Sequence, residues 1–387
     1  MNFKAIALIA PITLTALTFS SCKKEGCTDP TAENYNEKAK KDDGSCLYTE
    51  EPTSPSYTTP STFAFTDAAG NSTVSYSGQT ERLDQLGEMV VLMKTGNSTT
   101  LDAQVLKDMF ANTGGNGNGY FSFSSTKQLK DKCFLADQAM FETWMDEIAL
   151  ASASNAMTAA DGQAGVLTSG TSTYLLDANG MEHVQLIEKG LMGAVFMNQA
   201  LNVYFGDAKM DVDNTTAVDA AGGKYYTAME HHWDEAFGYF GVPTDFPTTP
   251  STRFWGKYCM SQDAILNSNA DMMNNFLKGR AALSADVLTD RDAAITAIRT
   301  EWEDISAHQA MKYLDDAIGY FGNDEAKFFH ALSEAYAFAW NLRYAPEETR
   351  RMDPTAHASL MALFGTNFWS LTIGDLNTIK NTIDTNY

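Results

Sequence analysis

From residue 79 onward, apolar residues recur every three or four positions, the spacing of helices that bury one face. Gln79–Lys94 carries Leu83, Leu86, Val90 and Met93, and Thr99–Asn112 carries Leu101, Val105 and Phe110. Lys130–Ala153 follows with Cys133, Met140, Trp144 and Ile148, and Gly180–Tyr204 is the most apolar helix. Gly190 and Gly193 in that helix invite a close neighbour. Further helices are expected over Trp255–Leu277, Ala281–Glu303, His308–Phe321 and Glu325–Leu342, with a C-terminal pair after them. Two stretches break the pattern. Phe63–Ser77 alternates about Asp67–Asn71 and predicts a small hairpin, while Ser152–Tyr174 is rich in small residues and predicts a loop, lid or insertion. The fold class expected is all-α: an antiparallel helical bundle with a token hairpin.

The densest chemistry lies in Met229–Gly241, MEHHWDEAFGYFG. Met229, Trp233, Ala236, Phe237 and Phe240 form one apolar stripe. His231 and Glu235 fall on the other side, with His232 on the flank. Either imidazole can meet Glu235, at four residues' distance for His231 and three for His232. The pattern recurs once: HWDEAFGYFG from His232 is matched by YLDDAIGYFG from Tyr313. Acidic pair and Gly-Tyr-Phe-Gly persist, whereas Lys312 and Tyr313 replace the histidines. Two helical repeats around a shared core are expected, with the histidines as the specialised part.

Two imidazoles and a carboxylate on one helical turn suit Zn, Fe or Cu, but a metal wants three or four ligands. Glu182, His183 and Glu230 are the nearest further candidates by sequence, and Asp315, Asp316 and His330 are candidates across the bundle. Trp255 and Tyr258 are expected along a ligand cleft. Cys133 and Cys259 have three open fates: a reactive thiol, a second disulfide or buried core.

The N-terminal residues bear on location. Asn2, Lys4 and the apolar run Ala5–Phe19 precede Phe19-Ser20-Ser21-Cys22, which resembles the lipobox of bacterial lipoproteins. That resemblance implies that residues 1–21 are removed and that Cys22 is acylated, anchoring the chain to a membrane it does not span. In the segment 22–48, Cys27 and Cys46 bracket a loop rich in Asp, Asn and Gly and would pair in an oxidising envelope. Closing such a loop is worth about 3 kcal/mol. The segment resembles the CTDPTAxNYNxxAxxDDGSC module of secreted bacterial proteins. Asp29, Asn34, Asn36, Asp42 and Asp43 offer calcium oxygens there, and a metal-free disulfide-tied stalk is the alternative. Thr49–Thr62, with Pro52, Pro55 and Pro60, reads as a stiff linker to a main domain over 63–387.

At 387 residues, one large or two modest domains are possible, and 44% hydrophobic content is a globular value. A net charge of −22 argues against nucleic acid as a partner. No two-histidine peptidase motif, nucleophile elbow or phosphate loop is present in the sequence.

Gly180-Met181-Glu182-His183-Val184-Gln185, the His232-x-x-Glu235 helix and the repeat together resemble the imelysin-like envelope proteins. More closely, roughly residues 60–385 resemble an uncharacterised bacterial lipoprotein domain family near that group. The resemblance implies two pseudo-repeated helical lobes and a link to iron uptake. The imelysin motif is Gly-x-His-x-x-Glu, and the matching positions here read Gly180, Glu182 and Gln185. The expected site is therefore His231, His232 and Glu235 with Glu182 and Gln185. The expected function is an outer-membrane lipoprotein binding a metal ion or metal-containing ligand beside envelope transport proteins. The alternatives are a metal-dependent hydrolase, with Glu235 or Glu182 as base, and a purely structural or interaction role.

Overall fold

The computed structural model describes residues 24–48 and 57–387. These belong to two units, one within Met1–Ser56 and one spanning Tyr57–Tyr387. The lipobox, Cys22 and the prolines Pro52 and Pro55 lie outside the described residues.

In the first unit Cys27 is bonded to Cys46. The five side chains expected to offer calcium oxygens are all turned onto the loop's own backbone. Asp29 accepts from Thr31 N, Asn34 from Leu47 N, Asn36 from Lys38 N, Asp42 from Gly44 N and Asp43 from Ser45 N. Short Asp and Asn side chains build turns this way. The Thr31 N–H, then the Tyr48 and Thr31 hydroxyls, hold the Asp29 carboxyl below its ordinary value.

The regular structure of the second unit is almost all helix, and the only sheet among its described residues has two short strands. In chain order come α1 (Ser77–Lys94), α2 (Ala103–Phe110), α3 (Gln138–Ser152), β1 (Gly165–Ser169), β2 (Ser172–Leu176), α4 (His183–Leu191), α5 (Asp207–Met210) and α6 (Ala228–Phe240). There follow α7 (Trp255–Leu266), α8 (Ser268–Ser284), α9 (Leu288–Tyr320), α10 (Glu325–Asn341), α11 (Pro354–Leu363) and α12 (Ile373–Asp384). Beyond Leu191, α4 runs on through two wider π-helical stretches, Met192–Met197 and Gln199–Tyr204. None of the helices is long and apolar enough to cross a membrane among the described residues.

Helix starts follow local chemistry. Thr227 and Glu230 form a reciprocal capping box at α6, and Thr372 and Asp375 form another at α12. Asp353 caps α11, with Pro354 in the first turn. The five stripe residues of α6 are all buried, and Trp233 is 0% exposed with its indole N–H donating to Phe276 O. An aromatic run joins the bundle: Phe240 meets Trp302 of α9 at 5.0 Å, Trp302 meets Trp255 of α7, and Trp255 meets Phe338 of α10. Helix α4 approaches α10 through Gly193, where an added Cβ would stand 2.0 Å from Asn341 Oδ1. Only glycine fits that crossing.

Several expectations change. The hairpin lies at β1–β2, mostly within the segment expected to be loop and ending two residues past it, with Gly165 opposite Leu176 and Ser169 opposite Ser172. At Phe63–Ser77 only the Thr66–Ser72 bridge forms. The flanking backbone is engaged elsewhere: Phe63 N donates to Thr244 O, Ser75 N donates to Asp234, and the Phe63 ring stacks on Phe237 at 3.7 Å. The helices expected over Ala281–Glu303 and His308–Phe321 are largely one, α9, with no Gly or Pro between Glu303 and His308 to break it. Trp255–Leu277 is instead divided at Asn267, whose φ is 58°. Trp255 and Tyr258, expected along a ligand cleft, are core residues at 0% and 2% exposure, both packed against the Phe338 ring. Cys133 and Cys259 are both buried and unpaired.

The repeat is conserved in outline and divergent in role. Gly241 and Gly322 both take positive φ, 77° and 71°, just past their helices. Asp234 is fully buried and bonded to Arg280 Nε at 2.9 Å, with Glu230 on Arg280 Nη1 at 2.7 Å. Asp315, at the position matching Asp234, instead makes an exposed pair with Lys380.

Candidate functional site

Helix α6 lays Trp233 into the core, which turns its histidines and Glu235 toward α1. The Nδ1 of His231 lies 2.9 Å from Ser75 O. A carbonyl only accepts, so Nδ1 carries the proton and Nε2 keeps the lone pair in the neutral ring. Burial lowers the His231 pKa against the opposing pull of Glu235, which favours that neutral form. The Tyr226 ring stacks on it at 4.6 Å. His232 Nδ1 lies 3.1 Å from Glu235 Oε2, and the two imidazoles are near-parallel, 6.1 Å apart. Glu235 Oε1 accepts from Gln79 Nε2 at 2.9 Å and from Tyr204 OH at 3.2 Å. Burial opposes its charge, but His232, His231 and the Gln79 amide outweigh it and hold the carboxyl below its usual range.

The unit borders a cavity of about 460 Å3, lined chiefly by polar side chains. Its wall includes Gln79 and Arg82 from α1, Lys127 and Lys132 from the segment before α3, Tyr204 from the end of the π-helical run, and His231 and Glu235. Arg82 is 6% exposed, with Nε donating to Gln128 O and Nη1 to Gly78 O. The Lys127 backbone is pinned because its carbonyl accepts from Gln85 and Asn112. Lys132 Nζ stands 5.7 Å from the centre of the Tyr204 ring. Burial, then the Arg82 charge, depresses the Lys132 pKa. Helix α1 reaches this depth because Gly238 of α6 has no side chain. A Cβ there would lie 2.8 Å from Tyr76 Cβ and 2.9 Å from Gln79 Cβ.

The other expected ligands are held elsewhere. Glu182 joins α10: its Oε2 is 2.6 Å from His330 Nδ1, its N–H donates to Ser333 Oγ, and Gln185 donates to its Oε1. Glu334 faces the far nitrogen of the same imidazole at 3.5 Å. Glu182 and Gln185 thus form a second cluster, with partners distinct from those of His231, His232 and Glu235. His183 pairs with Asp177, Glu230 with Arg280, Asp315 with Lys380 and Asp316 with Lys312. Among the described residues no group of three His, Cys, Asp or Glu stands where it could hold a metal ion.

Sequence reasoning missed Ser75, Gln79, Arg82, Lys127, Lys132, Tyr204 and Tyr226. One signal was present: Gln79, Arg82 and Gln85 sit on the buried side of α1 among Leu83, Leu86 and Met89. Polar residues in that place need a partner or a cavity.

Fold and cavity together define an all-α helical domain carrying a polar pocket with more cations than carboxylates. The chain belongs to the family defined by the domain of unknown function DUF4856, whose model matches residues 60–387. No curated protein and no solved structure matches the chain.

Proposed function

We propose that the protein is a non-enzymatic binding lipoprotein of the bacterial cell envelope. In this reading acylated Cys22 holds it to the outer membrane, and the α1–α6 cavity captures a metal-containing ligand for envelope transport partners. The observation that carries it is His231 and Glu235 on the wall of a polar cavity, with His232 held against Glu235 and Nε2 of His231 left as a lone-pair donor. Two imidazoles and one carboxylate already engaged by three donors fall short of a closed metal site. A metal arriving with oxygen ligands of its own fits this wall better than a bare ion. The kinship to imelysins suggested by the Gly180–Gln185 helix start and His232-x-x-Glu235 belongs to the same proposal, as does that of the disulfide module to secreted proteins.

Hydrolysis is less favoured. Glu235 is held in its ionised form below the usual carboxyl range, which makes it a weak general base at neutral pH.

The test is thermal unfolding of wild type, His231→Ala and His232→Ala with Zn, Fe or Cu, supplied as simple salts and as citrate complexes. A ligand that binds only the folded state raises its midpoint. A rise in wild type that is lost in the histidine variants supports the reading. No rise with any form, or equal rises in all three proteins, removes it. Lys312→Ala, at the matching place in the second repeat, should respond as wild type does.

A further inference from the structure

The chain has 49 acidic and 27 basic side chains, so a Lys or Arg of this protein is seldom far from a carboxylate. Lys130 shows the rule: its Nζ lies 2.5 Å from Glu142. Lys132, two residues on, breaks it, as do Arg82 and Lys127. Among the described residues none of these three has a carboxylate oxygen within ion-pair distance, yet all line one cavity. Glu235, the single carboxylate on that wall, has its charge shared among His232, Gln79 and Tyr204. Arg82 is buried and spends two of its nitrogens on backbone carbonyls, so the protein invests structure in holding the guanidinium there. Converging cations in a partly dry cleft repel one another until an anion enters, and such a cleft concentrates anions from solution. Burial first and the Arg82 charge second depress the Lys132 pKa, as expected of cations sharing such a cleft.

We infer that the cavity is a receptor for a small polyanion, a molecule carrying several carboxylate or phosphate oxygens, gripped by Arg82, Lys127 and Lys132. The inference rests on reading the cavity as a ligand site and names the class of ligand. With Nε and Nη1 already on carbonyls, the guanidinium contributes its fixed charge and the N–H groups those bonds leave over, and the two ammonium groups act as adjustable point charges. At about 460 Å3 the space falls within the span of small-molecule sites, about 300–1,000 Å3. A polycarboxylate would also bring the oxygen ligands that the histidine side lacks, so anion and metal would occupy the cavity together.

The test is isothermal titration of the full-length chain in detergent at neutral pH and low salt. The probes are metal-free citrate, inorganic phosphate and, as a monoanion control, acetate. Citrate or phosphate should bind with a dissociation constant below about 1 mM, and acetate should not. Lys127→Gln and Lys132→Gln should each weaken binding at least about tenfold, the effect of losing one charge-assisted contact. Lys130→Gln, on the same segment but paired with Glu142, should bind as wild type does. Because Arg82 is buried, the lysine variants carry the test whether or not Arg82→Gln folds. Failure of both citrate and phosphate to bind wild type overturns the inference, as does undiminished binding by both Lys127→Gln and Lys132→Gln. Stabilisation by a simple metal salt, dependent on His231 and without anion binding, defeats the polyanion and leaves the metal reading intact. Anion binding that added metal does not tighten upholds the polyanion and removes the metal.

Discussion

Alanine at two glycines that share a repeat position should shift stability in opposite directions. Gly238 in α6 and Gly319 in α9 both open the Gly-Tyr-Phe-Gly motif. At Gly238 a methyl group would meet Tyr76 Cβ at 2.8 Å and Gln79 Cβ at 2.9 Å. Both obstacles are Cβ atoms fixed to the α1 backbone, so relief requires moving α1 away from α6. Overpacking of this kind costs about 1–3 kcal/mol, against which helix propensity returns about 1 kcal/mol. A net loss of up to about 2 kcal/mol is expected for Gly238→Ala. At Gly319 an added Cβ meets nothing within 4 Å, so the propensity gain stands alone. Near the helix end it amounts to about 0.5 kcal/mol. Urea unfolding of both variants beside wild type measures the two signs directly, provided the slope is unchanged. Gln79 is also a wall of the cavity, so Gly238→Ala should weaken ligand binding while Gly319→Ala leaves it alone. Destabilisation by both variants, or by neither, would refute the packing argument.

Replacing Arg280 by Met should destabilise by about 3–5 kcal/mol in denaturant unfolding, because buried Asp234 and Glu230 lose their counter-charge. Stability should also fall with rising pH through His330. Burial alone would lower its pKa, but Glu182 and then Glu334 outweigh burial and raise it, with Lys189 opposing and Tyr174 stacked on the ring. A raised folded pKa contributes fully below the unfolded value of about 6.5 and is lost as pH climbs through the folded value, so unfolding free energies measured across that window should flatten in His330→Gln. Cys22→Ala should appear in the soluble fraction or as unprocessed precursor on membrane fractionation, and a variant still processed and anchored would count against acylation at that residue.

The parts of this architecture that could be read in advance are those set by local rules. The α6 stripe follows from 3.6-residue periodicity, and all five of its residues are buried. The unbroken α9 was harder, because Asp304 and Ser306 resemble cap residues and only burial against α10, where Ser306 donates to Phe338 O, keeps them inside one helix. The β1–β2 hairpin lies among small residues whose short alternation resembles loop sequence. The histidine–glutamate contacts of α6 were visible because helical spacing alone brings them together. The cationic wall was not, since Arg82 lies on α1, Lys127 and Lys132 on the segment before α3, and Lys and Arg are ordinary surface residues. Nearness in sequence and resemblance both set Glu182 beside the histidines, whereas tertiary packing gives it to His330.

The most direct measurement of the central claim is elemental analysis of the chain purified from envelopes without chelator or affinity metal. The expected result is near-stoichiometric metal that falls sharply in His231→Ala while that variant stays folded by circular dichroism. Metal at trace level in wild type, or an equal content in His231→Ala, would contradict the account.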